Sequence, residues 1–175
     1  MSIEKIDGKR WYEVNKVIYI TVTLDKPTNG EEWISRTEKS RNQVVDHAKS
    51  VLRSKGFTSS AVGRYKIAIL KASLFEDGDR VSNKICSEAR KKKLVKLNAD
   101  IIALIREQVS DYEIQDMGLK CIVGMHKPIK DSDDCPRLLA ANRSNGGRRL
   151  DVYSGFPDDT WDRGFGFAFL VPQVS

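Results

Sequence analysis

The sequence predicts an α+β fold: a ferredoxin-like lobe of split βαβ type, followed by an elaborated second half rich in strands. Three observations carry that prediction. The run "VIYITVTL", Val17 to Leu24, is dense in β-branched residues and reads as a strand. A helical pattern and then a second apolar run, "YKIAILKASLF", follow it and give strand, helix, strand. The chain then closes on two further apolar runs, "LDVYSGF" and "GFGFAFLV". Residues 1–78 form the expected N-terminal lobe. Residues 79–175 supply a basic helix and the C-terminal β-rich lobe, and the two halves pack closely enough to make one domain. A chain of 175 residues is long enough for either arrangement.

Each element has its local reason. "DKPTNG" ends the first strand with turn chemistry. Thr28 with Glu31 reads as a capping box that opens a helix. Val44, Ala48, Val51 and Leu52 keep helical spacing, and Gly56 stops that helix. "EDGDR" is a turn. From Asp79 to Asp111 the pattern is helical again, with Leu97, Ile101, Leu104, Ile105 and Val109 on one face and Asn98 as the cap of a second segment. Leu119–Met125 is the third strand. "HKPIKDSDDCPR" is a loop with an acidic tip, and "NRSNGGRR" is a glycine turn.

Hydrophobic residues make up 40% of the chain and charged residues 31%, an ordinary soluble composition. No apolar run approaches the roughly 20 residues needed to span a bilayer. The first residues lack the apolar core of a secretory signal, so a cytoplasmic location is expected and no membrane partner. Cys86, Cys121 and Cys135 are odd in number and form no CxxC pair, which argues against a disulfide framework. Cys121, His126 and Cys135 lack a fourth ligand for a tetrahedral metal site, so buried thiols are the plainer reading. The acidic groups Asp131, Asp133, Asp134 and Asp158, Asp159, Asp162 could hold a divalent cation, but acidic loops are more often simply solvated. There is no P-loop, dinucleotide fingerprint, HExxH or nucleophile elbow.

The net charge of +6 favours an anionic partner, nucleic acid first. Arg90, Lys91, Lys92 and Lys93 are consecutive, with Lys96 close behind. On a helix such neighbours point about 100° apart, so the turn projects into solvent or lies along a polyanion. The ending "RGFGFAFL" puts Phe165, Phe167 and Phe169 on one strand face and Gly164, Gly166 and Ala168 on the other. An open phenylalanine face would stack bases. A closed one would be core. Ile18 and Arg163 stand too far apart in the chain for a single RNA-recognition motif.

Taken together, "VIYITVTLDKP", His47 within "NQVVDHAKSVL", the basic "SEARKKKLVK", the turn "NRSNGGRRLDVY" and the ending "GFGFAFLVP" resemble the small repeat-cleaving endoribonucleases of CRISPR systems, in the RAMP superfamily. The resemblance places Ser144 and Gly146 at the serine and glycine of that family's turn. It implies metal-independent cleavage of a structured RNA, with no cofactor. The 2′-hydroxyl attacks the adjacent phosphate, and a 2′,3′-cyclic phosphate and a 5′-hydroxyl remain. His47 and Ser144 are the catalytic candidates; a histidine moves protons at neutral pH. His47 can equally be a structural histidine beside the apolar stripe, and His126 is the reserve.

The expected roles follow. Arg90, Lys91, Lys92, Lys93 and Lys96 grip phosphates of a hairpin RNA. Arg148 and Arg149 bind near the cleaved bond, and Phe165 or Phe167 stacks on a base. Other ribonucleoprotein subunits are further expected partners. The alternatives are a non-catalytic nucleic-acid-binding module and an accessory or inhibitory interaction protein of phage type.

Overall fold

The computed structural model describes residues 10–144 and 147–173. The strands are β1 (Trp11–Val14), β2 (Val17–Leu24), β3 (Gln43–Val44), β4 (Gly63–Lys71), β5 (Cys121–Gly124), β6 (Ile129–Lys130), β7 (Pro136–Ser144), β8 (Gly147–Ser154) and β9 (Phe165–Leu170). The helices are α1 (Gly30–Lys39), α2 (Asp46–Arg53), α3 (Ser82–Lys91), α4 (Asp100–Gln108) and α5 (Asp111–Asp116). All nine strands join one sheet in the order β1-β2-β4-β9-β5-β7-β8-β3, with β6 on β7. Among the described residues, only β3/β8 and β5/β9 pair in parallel. Among the described residues no helix is long and apolar enough to cross a membrane.

The α+β class holds, but the N-terminal pairing differs from the expected lobe. In a split βαβ unit another strand separates two parallel strands. Here β2 and β4 are direct antiparallel neighbours, Val17 opposite Leu70 and Leu24 opposite Gly63. The strand Val17–Leu24 has the expected bounds. Between it and β4, the single expected helix is two. The capping box is Asn29 with Glu32, one residue beyond the expected pair. Arg41 takes a left-handed φ of 61° after α1. Val44 is then a strand residue beside Leu150, so its spacing to Ala48 was not helical.

The sheet has a face 1 and a face 2. On face 1, Ile18, Ile20, Val22, Ile67, Ile69, Ile122, Leu139 and Leu150 pack against α1, α2, α4 and α5. On face 2, Ala68, Leu70, Val123, Leu138, Phe167 and Phe169 pack against Ile85 and Ala89 of α3, Leu94 and Trp161. Alternation along each strand sends neighbours to opposite faces. The middle of α4 is buried all round, from Asp100 to Arg106. Its two charged members are hydrogen-bonded, although Arg106 Nε has no partner among the described residues. The Asp100 carboxylate accepts the Ser60 amide and hydroxyl at 2.7 and 2.6 Å. The Arg106 guanidinium donates to Asp111, to the Val109 carbonyl and to the Asn142 carbonyl.

Candidate nucleic-acid interface

The run Arg90–Lys93 is not four helical residues. α3 ends at Lys91, Lys92 is its C-cap, and Lys93 turns left-handed with φ 60°. Leu94 then drops into the face 2 core, and Val95 bridges to Leu170, the last residue of β9. A helix end with its terminal carbonyls outward favours cations, which accounts for the position of the run. Arg90, Lys91, Lys92, Lys93 and Lys96 are all exposed. Glu88 lies 3.9 Å from Lys91 and 3.6 Å from Lys92. Among the described residues Arg90, Lys93 and Lys96 have no carboxylate within salt-bridge reach.

Arg90 and Lys96 also line a cleft of about 240 Å³, together with Cys86, Met125, His126 and Leu138. His126 is buried at its floor and is not a spare proton carrier. Its Nδ1 donates to the Lys127 carbonyl at 2.7 Å, and its Nε2 accepts the Leu139 amide at 3.0 Å. Burial pushes its pKa down to about 4, so the ring is neutral. Both nitrogens are occupied, so it serves neither as the reserve catalyst nor as a metal ligand. Cys121 is buried in β5, and burial pushes its thiol up, in keeping with a structural role.

His47 stands elsewhere. It lies in the first turn of α2, a face 1 helix, whereas the cationic turn belongs to face 2. Its Nδ1 is 3.1 Å from Asp131 Oδ2, and the ring is 45% exposed. The Asp131 side chain is fully buried. Its Oδ1 accepts the amides of Asp133 and Cys135, and its Oδ2 accepts Arg137 Nε at 2.7 Å. The Arg137 guanidinium, above all, holds that carboxyl down to about 2. His47, Asp131 and Asp133 bring ligand atoms within 4.8 Å of one another, a spacing that could hold a metal. A cation there would have to displace Arg137 from a carboxylate whose lone pairs are already used. The group fits a carboxylate that orients an imidazole better than it fits a metal centre.

Arg148 and Arg149, which follow the glycine turn, lie on opposite faces of the sheet. β8 and β7 carry Arg149 opposite Asn142, and Ser154 opposite Arg137 at the far end. Gln43 of β3, four residues before His47, pairs with Arg149. Arg148 is on face 1, where its guanidinium donates to the Arg106 carbonyl at 3.0 Å. Arg149 alternates onto face 2. The two arginines therefore diverge rather than converging on one phosphate. The Ser144 side chain and Gly146 lie outside the described residues.

The last strand is a core strand. Phe165, Phe167 and Phe169 do share face 2, as alternation requires. Phe167 is 0% exposed and packs edge-on against Trp161, so it cannot stack on a base. Phe165 is half-buried between Tyr153 and Trp161. Gly166 serves packing, since a Cβ there would meet Ile69 Cγ2 at 2.6 Å and Leu119 Cδ1 at 2.8 Å.

Toward β1 the second face opens to solvent. Thr21 pairs with Lys66 and Thr23 with Arg64. Thr23, Arg64 and Lys66 are exposed, and Thr21 is half-buried. Tyr12 sits opposite Tyr19, with ring centroids 5.1 Å apart and planes 20° apart. The Lys66 ammonium is 5.2 Å from the Tyr19 ring centre and 6.0 Å from that of Tyr12. This strip was not foreseen, although the alternation Tyr19, Thr21, Thr23 against Ile18, Ile20, Val22 carried the signal.

Comparison of the chain with protein-family models, with curated proteins and with solved structures finds no match. The geometry therefore carries the functional reading by itself.

Proposed function

We propose that this chain binds RNA, along the cationic turn 90–96 and the solvent-facing strip of face 2 beside it. The observation that carries this is a run of exposed cations, Arg90 to Lys93 with Lys96, whose only carboxylate neighbour among the described residues is Glu88. Arg90, Lys93 and Lys96 lack carboxylate partners among the described residues, and Val95 ties the turn to β9, the neighbour of the strand that bears Arg64 and Lys66. A phosphate backbone laid there releases counterions, and the affinity depends on salt accordingly.

The test is equilibrium binding of a labelled RNA across a salt series, with wild type and the variant Lys91→Glu/Lys92→Glu/Lys93→Glu. These side chains are exposed, so the fold is expected to survive. The wild type is expected to show a steep log–log slope. The variant is expected to bind at least about tenfold more weakly, with a slope shallower by roughly 2–3, since each phosphate contact contributes roughly 0.7–0.9. A salt response that is flat in both proteins would falsify the reading and favour an accessory interaction protein.

A second reading, metal-independent RNA cleavage, is favoured by one observation. His47 points Nδ1 at a buried, ionised Asp131, which leaves Nε2 for proton transfer at the surface. An RNA held on the cationic turn would have to pass around the sheet to reach it, so binding does not require cleavage. Hairpin RNAs, including CRISPR-repeat-like ones, incubated in EDTA decide the matter. Cleavage to a 2′,3′-cyclic phosphate that vanishes in His47→Ala, with binding retained, supports the nuclease. Intact RNA alongside tight binding leaves the non-catalytic module.

A further inference from the structure

We propose that Tyr12 and Tyr19 form a base-stacking platform, and that the ligand of this surface is single-stranded nucleic acid rather than duplex. The inference rests on the nucleic-acid reading above and narrows the ligand class. Three features of the strip argue for it.

The first is its composition. The face 2 residues of β1, β2 and β4 are Tyr12, Val14, Val17, Tyr19, Thr21, Thr23, Arg64, Lys66, Ala68 and Leu70. None is acidic. The one acid on β1, Glu13, belongs to the other face, where Lys71 reaches it at 3.2 Å. An ordinary solvated sheet face mixes both signs of charge, which limits non-specific attraction. Its exposed cations are Arg64 and Lys66, while Val17, Ala68 and Leu70 close the other end in the face 2 core.

The second is the arrangement of the rings. Tyr12 and Tyr19 are a directly opposed cross-strand pair on the edge of the sheet, stacked and flanked by the Lys66 ammonium. Both rings are half-buried, so neither is sealed in the core. Among the described residues, the ring and cation partners of Tyr12 are Tyr19 and Lys66. The Lys66 ammonium lies over the Tyr19 ring, and a long, exposed lysine there can turn to the phosphate of an unpaired base that stacks on the tyrosine pair. Bases in a duplex already stack on one another and cannot offer their faces.

The third is reach. From β1 the sheet runs through β2, β4 and β9 to the bridged segment at Val95. Four inter-strand steps cover roughly 19 Å. That length suits the short end of single-strand sites, which take roughly 4–16 nucleotides. The strand would cross the sheet with bases at the tyrosines and phosphates on Lys66, Arg64 and the turn.

The experiment measures fluorescence anisotropy with a labelled oligonucleotide of about 12 residues, as single strand and as blunt duplex, in RNA and DNA forms. The proteins are wild type, Tyr12→Leu, Tyr12→Phe and the triple glutamate variant, each checked by circular dichroism and melting temperature. Leucine keeps apolar bulk on the strand but removes the ring face; phenylalanine restores it. Tyr12→Leu is expected to lose roughly 5- to 100-fold in single-strand affinity. Its duplex affinity should change less than about twofold, and Tyr12→Phe should match wild type. Single-strand affinity equal to wild type in Tyr12→Leu, while the triple variant loses binding, overturns the platform and leaves the cationic reading standing. Equal weakening toward single strand and duplex also overturns it. Absence of binding to every oligonucleotide overturns both proposals.

Discussion

At the scale of single residues, the two histidines show how burial and hydrogen bonding sort identical side chains. His47 keeps one nitrogen at the surface, while His126 spends both inside. The His126 pKa near 4 makes stability depend on pH. An unfolded histidine takes up its proton near pH 6.5, whereas the folded one resists until about pH 4. In that window the unfolded state binds more protons, so stability falls as pH falls from about 6.5 to 4, by an amount on the order of 3 kcal/mol. Urea unfolding at several pH values should show this slope in the wild type. His126→Gln can accept the Leu139 amide without titrating, and should flatten the curve over that range even if it lowers stability throughout. A slope that persists unchanged in His126→Gln would assign the titration to another group. Asp131 works in a lower window. Its depressed carboxyl gives stability that is present above the usual aspartate range and is lost as pH falls toward 2.

At the scale of elements, α1 and α2 are set by one close contact. A Cβ on Gly30 would lie 1.8 Å from the Leu52 carbonyl oxygen, and that atom is backbone. Gly30→Ala must therefore push α2 away from α1. A cost of about 1–3 kcal/mol is expected, read as a fall in denaturation midpoint with an unchanged slope. Since His47 rides on α2, its contact with Asp131 should loosen in the same variant. The sequence made some of these elements legible and hid others. β2 was plain because six of its eight residues are β-branched Val, Ile or Thr in a clean alternation. The strand β7, "PRLLAANRS", was missed because it contains no β-branched or aromatic residue. Only its place between β5 and β8 makes it a strand. The short β3 was hidden for a similar reason: Val44 fits a helical stripe, and its parallel pairing with β8 is a tertiary fact. The exposed cations of the turn were legible from charge alone. Their separation from His47 was not, because it depends on which sheet face each helix covers.

At the scale of the whole molecule, the last strand lies near the centre of the sheet. β9 runs between β4 from the first half and β5 from the second, and its end holds the cationic turn through Val95. The hydrogen-bonded sheet thus crosses the boundary expected near residue 78, and both cores share its two faces. Neither half can keep its inner strand edges satisfied without β9, since buried backbone groups need partners. Unfolding should therefore be a single transition. Trp33 reports the face 1 core and Trp161 the face 2 core, so in a Trp11→Phe background the fluorescence of the further variants Trp33→Phe and Trp161→Phe follows each face separately. Their denaturation curves, each compared with far-ultraviolet circular dichroism of the same variant, are expected to coincide. Independently folding halves would instead separate the two transitions. A chain ending at residue 162 should fail to fold at all, because it leaves β4 and β5 with a gap where the central strand belongs. Pairings so distant in sequence also predict slow folding for a chain of this size. Refolding rates measured by the same two tryptophans should agree, since neither face can close before β9 arrives.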